Sequence, residues 1–314
     1  MQNKPLLNKI AIVIIGTNEI GKAVSTQLAR AGAIVIILGK NVEKGNKIVS
    51  IIRVEGDFAE FYHTDLINKN EIEKNIKQAL AKYKKVDILV SIADVPDFIS
   101  SADTSISEAE NISNIIFNVI FQLSELILPK MIENKYGRII HVSSITPRVA
   151  PLNSSAFNIN KIPIKAIHAL TRRPSIKMKP NDITFNAITP ILILSESIIM
   201  TKLAGMIKES SISPRELLQK FQGGAGIDCL GGENAVAEMV MFLVSTASRD
   251  INGQIFNVAG DFFANNFKNY LHKNEKTITE IDERISKLFL NLFRIFHISL
   301  DIFKKKIRRK TCRF

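Results

Sequence analysis

Short runs of β-branched and apolar residues alternate with longer amphipathic stretches over the first 260 residues or so. Ile10–Ile15, Ala33–Leu38, Ala59–His63, Val86–Ser91, Arg138–Ser143, Ile183–Ala187 and Gln254–Val258 read as seven strands. Helical periodicity near 19–31, 42–54, 70–84, 107–135, 154–178, 195–221 and 232–246 fills the spaces between them. That alternation predicts an α/β fold, a parallel sheet with crossover helices on both faces. Right-handed crossovers place the first strand centrally, with a ligand crevice at the carboxyl ends of the strands. No internal repeat is evident.

The pattern stops after Gly260, which divides the chain into a body, 1–265, and a tail, 266–314. In the tail, Ile285, Leu288, Leu292, Ile295, Phe296, Leu300, Phe303 and Ile307 follow helical spacing, and the cluster Lys304-Lys-Lys-Ile-Arg-Arg-Lys310 follows. The tail holds 13 Lys/Arg against 5 Asp/Glu, so +8 of the net +12 lies there and only +4 in the body. An electrostatic partner therefore meets the tail. A helix of this kind docks on the body or on a second subunit, or lies on an anionic membrane surface. No aromatic-basic interleaving of a nucleic-acid module is present, so nucleic acid is the least favoured partner.

At 46% apolar and 23% charged residues, the composition is that of an ordinary globular protein. Two cysteines, Cys229 and Cys312, form neither a disulfide framework nor a metal set and suit a reducing, cytoplasmic setting. No apolar run reaches membrane-span length, and the first one leads into a glycine turn rather than a cleavage site.

Candidate chemistry lies in Ser155-Ala-Phe-Asn-Ile-Asn-Lys161, where Phe157 and Lys161 are one helical turn apart, and at Ser144, thirteen residues before Phe157. This layout resembles the catalytic centre of the short-chain dehydrogenase/reductase family, classical type. Leu89-Val-Ser-x-Ala is similar to a carbonyl-reductase branch of it. The resemblance covers roughly residues 7–261 and implies a Rossmann-like doubly wound sheet and an NAD(P)-dependent oxidoreductase of small carbonyl or alcohol substrates. It also implies a homo-oligomer built on paired long helices. By position, Ser144, Phe157 and Lys161 are the catalytic candidates. The family, however, has tyrosine where this chain has Phe157. Its phenol moves the proton, and a benzyl ring carries no exchangeable proton. The family's supporting asparagine falls at Ile116 or Phe117, between Asn114 and Asn118.

The same resemblance places a cofactor. Against the family's Thr-Gly-x-x-x-Gly-x-Gly, the first glycine is Ile15 and the second Glu19, while Gly21 is kept and Gly16 lies one position late. Glycines there let backbone amides approach a diphosphate. A carboxylate about 4 Å from a phosphate charge is repelled by about 4 kcal/mol at an effective dielectric of about 20. No acid follows the second strand. Lys40 stands where NADP-preferring relatives have arginine, so the cofactor implied is NADP(H). Asp65 matches the adenine-contacting acid, Ala93 the alanine of Asn-Asn-Ala-Gly, Pro190 the Pro-Gly proline and Ser195 a hydroxyl near the nicotinamide amide; Lys161 also holds the nicotinamide ribose. Ile92 replaces the second asparagine and Ile191 the glycine, whereas Asn186 is kept. No metal is expected. Pro163 and Pro174 are expected to bend or break the helix that starts near Phe157.

Two functions compete. One is a drifted but working NADP(H)-dependent oxidoreductase. The other is a catalytically silent binding or assembly partner, motivated by the combined changes at Ile15, Glu19, Ile92, Phe157 and Ile191.

Overall fold

The computed structural model describes residues 4–65, 68–93, 106–143, 161–190 and 232–258, with the backbone alone for 106–114, 116 and 161–166. The strands are β1 (Ile10–Ile14), β2 (Ile34–Gly39), β3 (Ala59–His63), β4 (Ile88–Ile92), β5 (Gly137–Val142), β6 (Ile183–Pro190) and β7 (Ile255–Val258). The helices are α1 (Glu19–Arg30), α2 (Val42–Val54), α3 (Lys69–Tyr83), α4 (Ile106–Glu133), α5 (Lys161–Met178) and α6 (Glu233–Val244). All strand pairs are parallel, in the order β3-β2-β1-β4-β5-β6-β7. The order reverses between β1 and β4, and the crevice of a doubly wound sheet lies above that switch point. The tail, the helix expected at 195–221, Ser144, Phe157 and Ser195 lie outside the described residues.

Every residue of β1 and β4 is buried, which is why the central strands read as unbroken apolar runs. Val13, Ile37, Ile140 and Val142 face α1, α2 and α6, where Val24, Leu28, Ile48, Ile52, Val236 and Val240 meet them. Ile12, Ile36, Leu89 and Ile139 face the other way, onto Ile72 and Ile76 of α3 and Leu123 and Ile127 of α4, with Met178 of α5 at the margin. Burying one such side chain contributes about 1.5–3 kcal/mol, so the two layers hold the sheet at its centre.

The amino edge is fastened by charge. Asp87 Oδ2 accepts the Ile10 amide at 2.8 Å and pairs with Lys85 at 2.9 Å. Buried Arg138 donates to the Asp182 carbonyl at 2.7 Å and lies 4.5 Å over the Tyr136 ring.

Two strand ends move by more than one residue, the first being that of β6, which runs on past Ala187 to Pro190. β4 starts at Ile88 rather than at residue 86, because Asp87 is engaged with the start of β1. α5 is continuous over the described span Lys161–Met178 with Pro174 inside it, so the helix expected to bend or break near Pro163 and Pro174 has no break there.

Candidate nucleotide and active site

Three helices that begin at the carboxyl edge of the sheet are capped by asparagines. Asn18 Oδ1 accepts Gly21 N–H at 2.7 Å, Asn41 Oδ1 accepts Lys44 N–H at 2.9 Å, and Asn68 Oδ1 accepts Asn70 N–H at 3.1 Å. Each such cap stabilises its helix by about 1 kcal/mol. Asparagine just before an amphipathic run is the signal that could have marked these starts in the sequence.

The turn between β1 and α1 is tight. Ile15 has φ 58°, a left-handed conformation that costs a β-branched residue about 1–3 kcal/mol. Its surroundings hold it there. Gly16 N–H continues the β1–β2 ladder to the Leu38 carbonyl at 3.1 Å. A Cβ on Gly21 would lie 2.4 Å from Gly16 Cα, so α1 rests directly on the turn backbone. A left-handed turn thus stands at position 15 without a glycine there. Glu19 is the first residue of α1, half-exposed, with its carboxylate 3.7 Å from Lys22 Nζ. An acid there complements the helix dipole.

Lys40 and Asp65 come together. β2 and β3 pair as far as Gly39 and His63, and Lys40 Nζ lies 3.1 Å from Asp65 Oδ2. Asp65 N–H donates to Glu71 Oε2 at 2.9 Å, and Asn75 Nδ2 donates to both the His63 carbonyl and Thr64 Oγ1 at 2.8 Å. The loop after β3 is therefore fixed beside the end of β2.

Beside β1, Ala93 N–H donates to the Val142 carbonyl at 2.7 Å, ending the β4–β5 ladder. Ile92 is buried among Val142 and Ile188, so an apolar contact stands where the family has an amide. Ser91 Oγ and His141 Nδ1 lie 2.6 Å apart across β4 and β5. Burial lowers the His141 pKa from its ordinary 6.5 to about 4, so the imidazole is neutral at pH 7. Neither His141 Nε2 nor the buried Ser143 Oγ has a hydrogen-bond partner among the described residues. Sequence reasoning missed this pair; a histidine and a serine inside apolar strands were its only signal.

At the far side of the crevice, Pro190 closes β6 and pairs with Val258. Asn186 Nδ2 donates to the Ile251 carbonyl at 2.9 Å and its Oδ1 accepts Gln254 N–H at 3.1 Å, which fixes the approach to β7. Lys161 lies on α5 near the carboxyl edge of the sheet. On α4, Asn118 is exposed and Phe117 half-buried.

No described tyrosine replaces the missing phenol. Tyr136 precedes β5 at the opposite edge. Tyr62 donates to Glu60 at 3.0 Å on the edge strand, and burial with that carboxylate pushes its pKa up to about 12. Tyr83 ends α3. Among the described residues no cluster of His, Cys, Asp or Glu could hold a metal ion, and no helix is long and apolar enough to cross a membrane.

The family model for short chain dehydrogenases matches residues 9–202. The 7alpha-hydroxysteroid dehydrogenase of Escherichia coli (strain K12) is 28% identical over 262 residues, spanning 82% of this chain and 95% of its own length. The cyclopentanol dehydrogenase of Comamonas testosteroni is 28% identical over 258 residues, spanning 82% and 98%. The crystal structure of an actinorhodin polyketide ketoreductase variant with NADPH superposes with a TM-score of 0.71 at 21% identity, covering 81% of this chain and 97% of that one, a likeness of fold.

Proposed function

Because the chain belongs to the short-chain dehydrogenase/reductase family, we propose that it is an NADP(H)-binding relative of carbonyl and alcohol oxidoreductases whose chemistry is reduced or lost at Phe157. The observation that carries the binding half of this reading is the first βα turn. Gly21 sits against Gly16, which seats the amino end of α1 on the turn, where backbone N–H groups can meet a diphosphate. Lys40 and Asp65 would hold the adenosine end, Ala93 and Pro190 would flank the nicotinamide, and Lys161 and Ser195 would bond its ribose and amide. The dinucleotide supplies or takes a hydride when bound. The protein's share is the proton, and Phe157 has none to give. Loss of a general acid costs about 10²–10⁴ in rate. Ser144 keeps the hydroxyl that orients a small carbonyl.

The alternative is a catalytically silent binding or assembly partner. Phe121 and Ile132 stand exposed on the long helix α4, which supports a homo-oligomer paired through that helix. The tail, a separate basic amphipathic segment, adds contact with an anionic membrane surface to either reading, and the setting is the cytoplasm.

Titrating the purified protein with NADPH and following its fluorescence separates the two. Micromolar binding supports the reductase-derived reading, and no binding at millimolar cofactor leaves the silent one.

A further inference from the structure

The last turns of α5 are basic and uncompensated. Over Lys161–Met178 the helix carries five Lys/Arg and no Asp or Glu. Its inward side is set by Ile167, Thr171 and Ser175, all buried, with Met178 at the margin of the layer under α3 and α4. The opposite side stands outward: Arg172, Arg173, Ile176 and Lys177 are exposed, as is Lys179 in the turn that follows. Ile176 is 81% exposed, and Arg172 and Arg173 precede it by one helical turn on the same face. Among the described residues none of these four cations has an ion pair. Asp182, the next acid along the chain, is already engaged: buried Arg138 holds it at 3.2 Å and Arg249 lies at 3.7 Å. β6 starts at Ile183, so this end of α5 lies at the amino edge of the sheet, opposite the crevice.

A cationic helix side that meets no acid within the protein favours an anionic partner. The exposed isoleucine selects among such partners. A nucleic-acid phosphate backbone gains nothing from it, whereas a lipid surface takes an apolar tip at the boundary of headgroups and acyl chains. We infer that the carboxyl end of α5 is a membrane contact: Arg172, Arg173, Lys177 and Lys179 meet anionic headgroups, and Ile176 enters the interface between them. One such contact is marginal alone, and stable attachment takes two signals. It therefore acts together with the tail, whose membrane reading it extends to the folded domain, and it leaves the crevice at the other edge clear of lipid.

Sedimentation of the full chain with vesicles of phosphatidylcholine and phosphatidylserine in equal parts tests it. Arg173→Gln combined with Lys177→Gln weakens binding by about tenfold or more, at about fivefold per cation near the surface. Ile176→Ser, which leaves the net charge unchanged, weakens it by about three- to tenfold. Both variants melt as the wild type does, because only exposed positions change. Lys304→Gln, Lys305→Gln and Lys306→Gln in one chain separate this contact from the tail. If that variant alone loses affinity, the tail reading stands and the inference is overturned; if only the α5 variants lose it, the inference stands and the tail reading falls. A loss in the glutamine pair with none in Ile176→Ser also overturns the inference, since the face then supplies charge without seating in lipid. A wild-type chain that does not sediment with the vesicles overturns both membrane readings, and a dimer that Ile176→Ser then dissociates would assign the face to a second copy.

Discussion

Ser91 Oγ and His141 Nδ1 are 2.6 Å apart inside the sheet, joining β4 to β5 under the crevice. Ser91 stands at the first asparagine position of the family's Asn-Asn-Ala-Gly, and the second is the buried Ile92. A hydroxyl and an imidazole thus link these two strands, and the imidazole is a group that titrates.

That titration gives a sign to the pH dependence. His141 is held neutral with a pKa of about 4, against 6.5 when exposed in the unfolded chain. The unfolded state therefore takes up the proton first. The contribution is intact above about pH 6.5 and is lost progressively toward about pH 4, by about 3 kcal/mol in all. Urea melts of wild type and His141→Asn between pH 7 and 4 check this. The variant should show the shallower fall, and parallel curves would mean that the imidazole is solvated.

The strands were legible because the sheet is parallel and covered on both faces, so Ile10–Ile14 or Ile34–Gly39 need apolar residues throughout. Strand ends were less so, since β4 begins where Asp87 releases the chain, a contact 77 residues distant in sequence. Lys40 and Asp65 could be named from their places after two strands, but their pairing depends on the β2–β3 register. Ile15 reads as ordinary strand, yet its backbone is left-handed in the turn where Gly21 seats on Gly16. Ser144 and Phe157 remain positions in a pattern, outside the described residues.

Carbonyl reduction by the wild-type protein should be negligible with either nicotinamide cofactor. Phe157→Tyr supplies the missing acid and should raise turnover by about 10²–10⁴ if the rest of the site is intact. Silence in that variant would implicate the glycine turn as well. Robust wild-type turnover that survives Ser144→Ala and Lys161→Ala would place the chemistry elsewhere.

Glu19→Gly should tighten NADPH by about three- to tenfold, since it removes a carboxylate from the diphosphate turn and a side chain from a point of close approach. Lys22 at 3.7 Å and the half-exposed position of Glu19 limit the effect, and added salt should shrink it further. An affinity that stays the same across a salt series would mean that the carboxylate faces away from the ligand.

The tail tests the division of the chain. The alternating pattern closes with β7 at Val258, so truncation after Phe263 should leave a soluble, cooperatively melting domain. Residues 281–310 carry an apolar stripe and a polybasic end, and an isolated helix of that length is marginal in water unless its stripe is covered. Flotation of the full chain with liposomes that contain anionic lipid, lost on truncation and absent with neutral liposomes, is the expected result for an interfacial helix. No flotation, together with a truncated body that aggregates, would show instead that the stripe docks on protein. A truncated body that melts unchanged beside a full chain that never floats would remove both roles from the tail.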